Sequence, residues 1–89
     1  MKIVDGFILK EIAGNYIIIS CSDEVLELNN SMITINELGA LIWNKINDGL
    51  EKKEIVSEIL KEYDVDEVTA SNDFDEFIKS LADAGIIKY

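Results

Sequence analysis

The spacing of apolar residues along the chain changes at Asn36. Just before it, Ile33 and Ile35 alternate with Met32 and Thr34, which is typical of a strand with one buried face. After it, apolar residues recur at helical spacing: Leu38, Leu41, Ile42 and Ile46. This order of elements, with strands preceding helices along the chain, predicts an α+β fold in which an antiparallel sheet packs beside a helical layer. Winged helix-turn-helix domains are built from similar parts.

Two segments rich in β-forming residues, 7–12 and 16–20, flank the sequence Ala13-Gly14-Asn15. A short loop between such segments, containing residues that tolerate positive φ, predicts a β-hairpin. Residues 17–19 are all isoleucine, so both faces of the second strand are apolar. We therefore expect this strand to lie in the centre of the sheet rather than at its edge.

A second strand pair is predicted from residues 25–28 and 32–35, which flank Asn29-Asn30-Ser31. The sheet would then have three or four antiparallel strands. The later of these segments leads directly into the first helix, and a small sheet always has edges. An edge strand beside an apolar helix offers unpaired backbone groups and a groove for side chains. Peptides that bind by adding a strand need this arrangement.

Three helices are predicted after the sheet. The first begins at the N-cap Asn36 and ends near Gly49, and the second runs over residues 52–63. Trp43 lies off the main apolar stripe of the first helix, so it packs at the edge of the core or contacts a partner. The apolar stripe of the third helix contains Ala70, Phe74, Phe77, Ile78 and Leu81.

The start of the third helix has two candidate caps. Asp64 and Glu67 stand three residues apart, as in a capping box, while Asp66 is a rival N-cap. Gly85 is the expected end of this helix, and the two isoleucines that follow it are expected to pack on the core as a short tail. A single domain covering residues 1–89 is therefore predicted.

The charge balance narrows the choice of partners. The chain has 8 Lys and Arg residues against 18 Asp and Glu residues, giving a net charge of -10. Nucleic acids and anionic membranes are therefore poor partners, since both need a basic surface. The charge either serves solubility alone or steers a partly basic partner. With Cys21 as the only cysteine and no signal peptide or long apolar run, a cytoplasmic location is expected.

The residue types needed for catalysis are scarce. The chain has no histidine, so it lacks the usual general base and the commonest transition-metal ligand. Cys21 has no histidine with which to form a nucleophilic pair. The acidic residues at 64–67 lack the central glycine of a calcium loop, so capping is the favoured role for them. We expect no catalytic residue, no metal and no cofactor.

Most of the chain resembles the PqqD-like family, whose members are also called RiPP recognition elements. Residues 6–12 and 16–19 resemble the opening hairpin of that family. Residues 32–43, which read MITINELGALIW, resemble its strand running into a helix with the pattern LNxxGAxIW. Residues 54–63 resemble its second helix, and residues 73–87 resemble its closing helix and tail. Ile35 replaces the family's leucine before Asn36, and residues 25–28 resemble extra strand sequence.

The resemblance implies a winged-helix-like domain without catalytic residues. Such a domain binds the leader of a ribosomally synthesised precursor peptide and presents it to a modifying enzyme, often a radical-SAM protein. The leader adds as a strand to the last strand of the sheet and lies against the third helix. The residues implied for peptide binding are Ser31, Met32, Ile33, Thr34, Ile35, Phe74, Phe77, Ile78 and Leu81.

Two other functions are alternatives to peptide binding. The first is a winged-helix transcriptional regulator that binds DNA, which the charge opposes because residues 67–84 contain one Lys and no Arg. The second is an enzyme, which the absence of histidine and of a nucleophile–base pair opposes. Exposed strand edges would also permit a homodimer. The sequence identifies neither the precursor peptide nor the modifying enzyme.

Overall fold

A computed structural model of the chain describes residues 1–20 and 32–88, and all structural statements concern these residues. In chain order, the strands and helices are β1 (Lys2–Ile3), β2 (Phe7–Ile12), β3 (Asn15–Ser20), β4 (Met32–Ile35), α1 (Glu37–Asn47), α2 (Lys52–Glu62), α3 (Glu67–Asp83) and β5 (Ile87–Lys88). The predicted α+β fold, with antiparallel strands preceding three helices, is confirmed. The strand predicted at residues 25–28, together with Cys21, lies outside the described residues.

The predicted hairpin forms the centre of the fold. β2 pairs antiparallel with β3, and β3 pairs antiparallel with β4, which gives the order β2-β3-β4. The isoleucine-rich β3 is the central strand, as its two apolar faces predict. Ala13 and Gly14 link β2 to β3 with φ values of 52° and 82°. Positive φ at both central residues gives a turn whose twist matches that of the flanking strands.

The register of the sheet gives it two different faces. Leu9, Ile18 and Ile33 occupy equivalent positions on the three strands, and their side chains face the helices. Lys10 and Thr34 flank Ile17 on the opposite face. Ile18 is fully buried, whereas Lys10 and Thr34 are exposed. One face of this small sheet therefore contributes to the core, as the alternation in β4 predicts.

Each helix begins at a side-chain cap. Asn36 accepts a hydrogen bond from the Gly39 amide at 2.7 Å, as predicted for the N-cap of α1. A capping box formed by Glu51 and Glu54 begins α2. At α3, Asp66 is the N-cap and accepts a hydrogen bond from the Thr69 amide at 2.8 Å. The alternative start at Asp64 is wrong, because the chain enters the helix only after Asp66.

The core lies between the sheet and the three helices, which pack through their apolar stripes. Trp43 is only 3% exposed and belongs to this core, so its position off the main stripe does not put it at a partner surface. None of the helices within residues 32–88 is long and apolar enough to cross a membrane. The largest fully buried side chains are Ile18, Ile42, Ile55, Ile59, Leu81 and Ile86.

A second, two-stranded sheet joins the beginning and the end of the described chain. β1 pairs antiparallel with β5, so that Ile3 lies opposite Ile87. The Val4 amide extends the pairing by donating a hydrogen bond to the Ile86 carbonyl at 2.7 Å. The two isoleucines after Gly85 are buried, as predicted for the tail, but the sequence analysis did not find their strand partner.

Candidate functional site

One long side of β4 has no partner strand in the part of the chain that the structure describes. β4 pairs with β3 on one side and ends the order β2-β3-β4 on the other. An outer strand of this kind presents backbone N–H and C=O groups that another chain can pair with. β4 is also the strand that leads, through Asn36 alone, into α1.

The sheet register determines which residues of β4 direct their backbone groups outward. Ile12 and Asn15 flank the two-residue turn and form a hydrogen-bonded pair. From this pair onward, hydrogen-bonded and non-hydrogen-bonded residue pairs alternate along the antiparallel strands. Ile17 therefore bonds to β2, while its neighbour Ile18 bonds to Ile33 of β4. It follows that the N–H and C=O of Thr34 point away from β3, toward the open side.

A groove of ≈ 420 Å³ runs beside the end of β4, between α1 and α3. Its lining combines apolar side chains with hydroxyl, amide and carboxylate groups. The residues that line it are Thr34, Ile35 and Asn36 from the strand end, Leu38, Gly39 and Ile42 from α1, and Asp73, Glu76, Phe77 and Ser80 from α3. An open strand edge and a side-chain groove thus lie next to each other, as strand-addition binding requires.

The structure brings together some of the predicted binding residues. Thr34, Ile35 and Phe77 line the groove, and Ile33 lies half-buried next to them in β4. Met32 contributes the first backbone unit of β4, and Ser31 lies outside the described residues. Phe77 is half-buried, so part of its ring remains available at the groove.

The other predicted residues of α3 belong to the core instead. Phe74, Ile78 and Leu81 are 3%, 2% and 2% exposed, so little of their surface is free to contact a peptide. Residues four apart follow one another along a helix face, and Phe74 and Ile78 lie on the face that packs inward. The face of α3 toward the groove carries Asp73, Glu76, Phe77 and Ser80.

Gly39 is a feature of the site that the sequence analysis missed. A Cβ atom at this position would lie 2.8 Å from Cε1 of Phe77 and 3.3 Å from Cβ of Ile35. Real Cβ atoms essentially never come within 3.0 Å of another atom, so a side chain at position 39 would force the Phe77 ring to shift from its place against the first turn of α1. The available signal was an isolated glycine inside a helical pattern, which often indicates close packing.

The charges at the groove are all negative. Asp73 and Glu76 line it, and none of the described lining residues is Lys or Arg. The ion pairs found elsewhere join Lys52 to Asp75 at 2.9 Å and join Glu58 to two lysines, Lys45 and Lys61. No ion pair within residues 1–20 and 32–88 involves either groove carboxylate. The groove is therefore an uncompensated acidic surface around an aromatic ring.

Shifted pKa values occur away from the groove. Hydrogen bonds from Thr69 lower the pKa of Asp66, because they stabilise the ionised carboxylate at the start of α3. Burial, followed by the nearby Glu37 carboxylate, raises the pKa of Tyr63. Both groups lie at helix ends, and their shifts follow from capping and packing. In the described part of the chain, no three metal-ligating side chains lie close enough together to bind an ion.

Two other depressions have similar volumes. One of ≈ 560 Å³ lies beside the Lys52–Asp75 ion pair, and one of ≈ 520 Å³ lies between α2 and α3 near Leu60. Neither is lined by a residue of the three-stranded sheet. The groove beside β4 therefore differs from both, because side-chain recognition there adjoins backbone groups that have no strand partner among residues 1–20 and 32–88.

The structure is similar to two solved structures that contain leader peptides. TbiB1, solved in complex with the TbiA(beta) leader peptide, is 25% identical, with a TM-score of 0.81, and the match covers 99% of this chain and 95% of TbiB1. Lasso peptide synthetase B1, complexed with its leader peptide, is 16% identical, with a TM-score of 0.78, and the match covers 96% and 93% of the two chains. The second likeness shows the fold alone.

Comparison with curated protein sequences gives no match. The family described as coenzyme PQQ synthesis protein D (PqqD) matches residues 22–87, which is well over half of the chain. This match includes β4, all three helices and the groove between them. It confirms the resemblance seen in the sequence of residues 32–43. The chain belongs to the PqqD family.

Proposed function

We propose that this chain binds the leader of a ribosomally synthesised precursor peptide as an added strand on β4. The observation that carries the proposal is the position of the open edge at Thr34 beside a groove that contains Phe77. Backbone pairing along β4 places the peptide, and the groove receives those of its side chains that point toward α3. Residues 1–89 act together as one peptide-binding domain.

The solved relatives support this function. TbiB1 shares the fold of this chain over nearly its whole length and was solved with a leader peptide bound. Membership of the PqqD family supports the same class of ligand. By this proposal the chain is a peptide chaperone and not an enzyme. It presents the bound leader to a separate modifying enzyme, for which a radical-SAM protein is the candidate that the family resemblance suggests.

The energetics of such a complex fit a reversible chaperone. Pairing with the outward N–H and C=O of Thr34 supplies hydrogen bonds that any peptide sequence can form. Each apolar side chain fully buried in the groove contributes about 1.5–3 kcal/mol. Two such anchors contribute about 3–6 kcal/mol, which is less than the roughly 8 kcal/mol of a micromolar complex, so backbone pairing and further contacts must supply the rest and offset the lost translational and rotational freedom. A leader held this weakly can be transferred to the modifying enzyme.

The proposal can be tested with a displayed library of random 12-residue peptides selected on the immobilised chain. The most enriched peptide is then synthesised and titrated into the isotope-labelled chain for chemical-shift mapping. We expect the largest amide shifts at Thr34, Ile35 and Phe77. Largest shifts on α2, with β4 and α3 spared, would exclude strand addition.

N-methylation of the same peptide tests the backbone pairing without altering the protein. In an antiparallel or parallel added strand, only alternate residues donate their N–H to the neighbouring strand. Methylation should therefore weaken binding at every second residue and leave the residues between them nearly unaffected. A uniform response along the peptide would show that it does not bind as a strand.

A further inference from the structure

The face of α3 toward the groove has a distinct chemical pattern. Asp73 and Glu76 are one helical turn apart, and Phe77 lies next to Glu76 on the same side. Asp73 is half-buried, which places its carboxylate partly inside the groove rather than fully in solvent. A side chain that enters the groove therefore meets an aromatic ring and two carboxylates together.

No cation of the described chain neutralises these carboxylates. Lys79 follows Glu76 by three residues, but it lines the separate depression near Phe74 and Ile78. The lysines that form ion pairs, Lys45, Lys52 and Lys61, lie beside Glu58 and Asp75. A positive charge on a bound molecule would therefore complement the groove without displacing an ion pair of the described residues.

The register of β4 determines which residues of an added strand reach this surface. The peptide residue that pairs with Thr34 directs its side chain to the same sheet face as Thr34, away from the helices. Its two neighbours lie opposite Ile33 and Ile35 and direct their side chains to the helical face. The groove therefore contacts two peptide side chains that are separated by one residue.

We propose that the groove selects leader peptides in which these two side chains are one basic and one apolar residue. The Lys or Arg cation lies beside Asp73 and Glu76, while the apolar side chain packs against Phe77. This inference rests on the proposed function, because it assumes that the leader is added to β4. An acidic residue in the same place is repelled by both carboxylates, which gives discrimination between leaders as well as affinity.

The peptide library provides the test. Among the sequences enriched on the wild-type chain, we expect Lys or Arg two residues away from a large apolar residue, with Asp and Glu depleted there. A selected basic peptide should bind the Asp73→Asn/Glu76→Gln variant about fivefold more weakly. Its affinity for the wild-type chain should fall with added salt, and its affinity for the variant should depend much less on salt.

A matched control separates the groove from the general charge of the protein. Asp5→Asn/Asp64→Asn removes the same number of negative charges at exposed positions outside both the groove lining and α3. It should keep the wild-type preference and affinity. Peptides that add to β4 but show no basic preference, or equal effects of the two double variants, would overturn this inference alone. Failure of every peptide to shift β4 would overturn the proposed function and this inference with it.

Discussion

The ring of Phe77 occupies the space that a side chain on Gly39 would need. Its Cε1 atom lies 2.8 Å from the position that the Gly39 backbone defines for a Cβ atom. The contact joins the first turn of α1 to the groove face of α3. The shape of the groove thus depends on a residue that has no side chain.

Gly39→Ala should therefore destabilise the wild-type chain more than it destabilises a Phe77→Ala chain. With Phe77 present, overpacking costs about 1–3 kcal/mol, partly offset by the better helix propensity of alanine. With Phe77 truncated, only the 3.3 Å approaches to Ile35 and Asn36 oppose the propensity gain of up to about 1 kcal/mol, so the net effect should be small. Urea unfolding of both single variants and the double variant measures the coupling. Equal effects of Gly39→Ala in both backgrounds would contradict the contact.

Thr34→Pro should weaken peptide binding strongly without unfolding the protein. The Thr34 N–H points away from β3, so proline removes a donor to the peptide and leaves the β3–β4 bonds intact. We expect binding at least about tenfold weaker and a native circular dichroism spectrum. Ile33→Pro is the matched comparison, because its N–H points toward β3. It should destabilise the fold by roughly 1–3 kcal/mol.

Phe77 and Phe74 should give opposite results when each is replaced by alanine. Phe74 is 3% exposed, so its loss should cost about 3–5 kcal/mol of folding stability. Phe77 is half-buried, so Phe77→Ala should lower the folding stability by only about 1–2 kcal/mol but weaken peptide binding roughly tenfold. Unfolding curves and peptide titrations of both variants measure these effects. Lys52→Ala is the surface control, which should leave binding unchanged and, because its ion pair with Asp75 is exposed, alter stability by less than about 1 kcal/mol. If the Phe77→Ala variant binds the peptide with unchanged affinity, the Phe77 ring is not part of the binding site.

Asp66 should make the stability of the fold depend on acidic pH. Because its pKa is lowered in the folded chain, Asp66 contributes stability above its unfolded pKa of about 4 and loses it as the pH falls through the folded value. Asp66→Asn keeps a capping side chain that does not titrate. Urea midpoints at about pH 5 and pH 3 should therefore fall less for this variant than for the wild type. An equal fall would exclude the contribution of Asp66.

The elements that the sequence predicted correctly are those with local signals. The hairpin around Ala13 and Gly14, the N-cap Asn36 and the change of period after it each depend on a few neighbouring residues. The start of α3 depended on two competing caps only two positions apart, and local pattern could not rank them. The hydrogen bond that the Thr69 amide donates to Asp66 shows that Asp66 is the N-cap of α3.

The candidate site was predicted less fully because it depends on contacts between distant elements. Phe74, Phe77 and Ile78 share one apolar stripe, and periodicity cannot say which edge of such a stripe remains open. Packing of α3 against α1 separates them, leaving Phe77 at the groove. Asp73 and Glu76 lie off this apolar stripe, a position that is typical of a solvated helix face. Their place beside β4 emerges only from the tertiary structure.

The pairing of β1 with β5 has a consequence for how the protein reaches its folded state. Ile3 and Ile87 are neighbours in the structure although they lie at opposite ends of the described sequence. A ribosome must have synthesised the chain through residue 88 before this pair can close and before Ile86 and Ile87 can enter the core. The hairpin and helices can form earlier from local contacts, but the closing step brings together widely separated segments and is therefore entropically costly. Cooperative folding of the domain should accordingly be a late event in its synthesis.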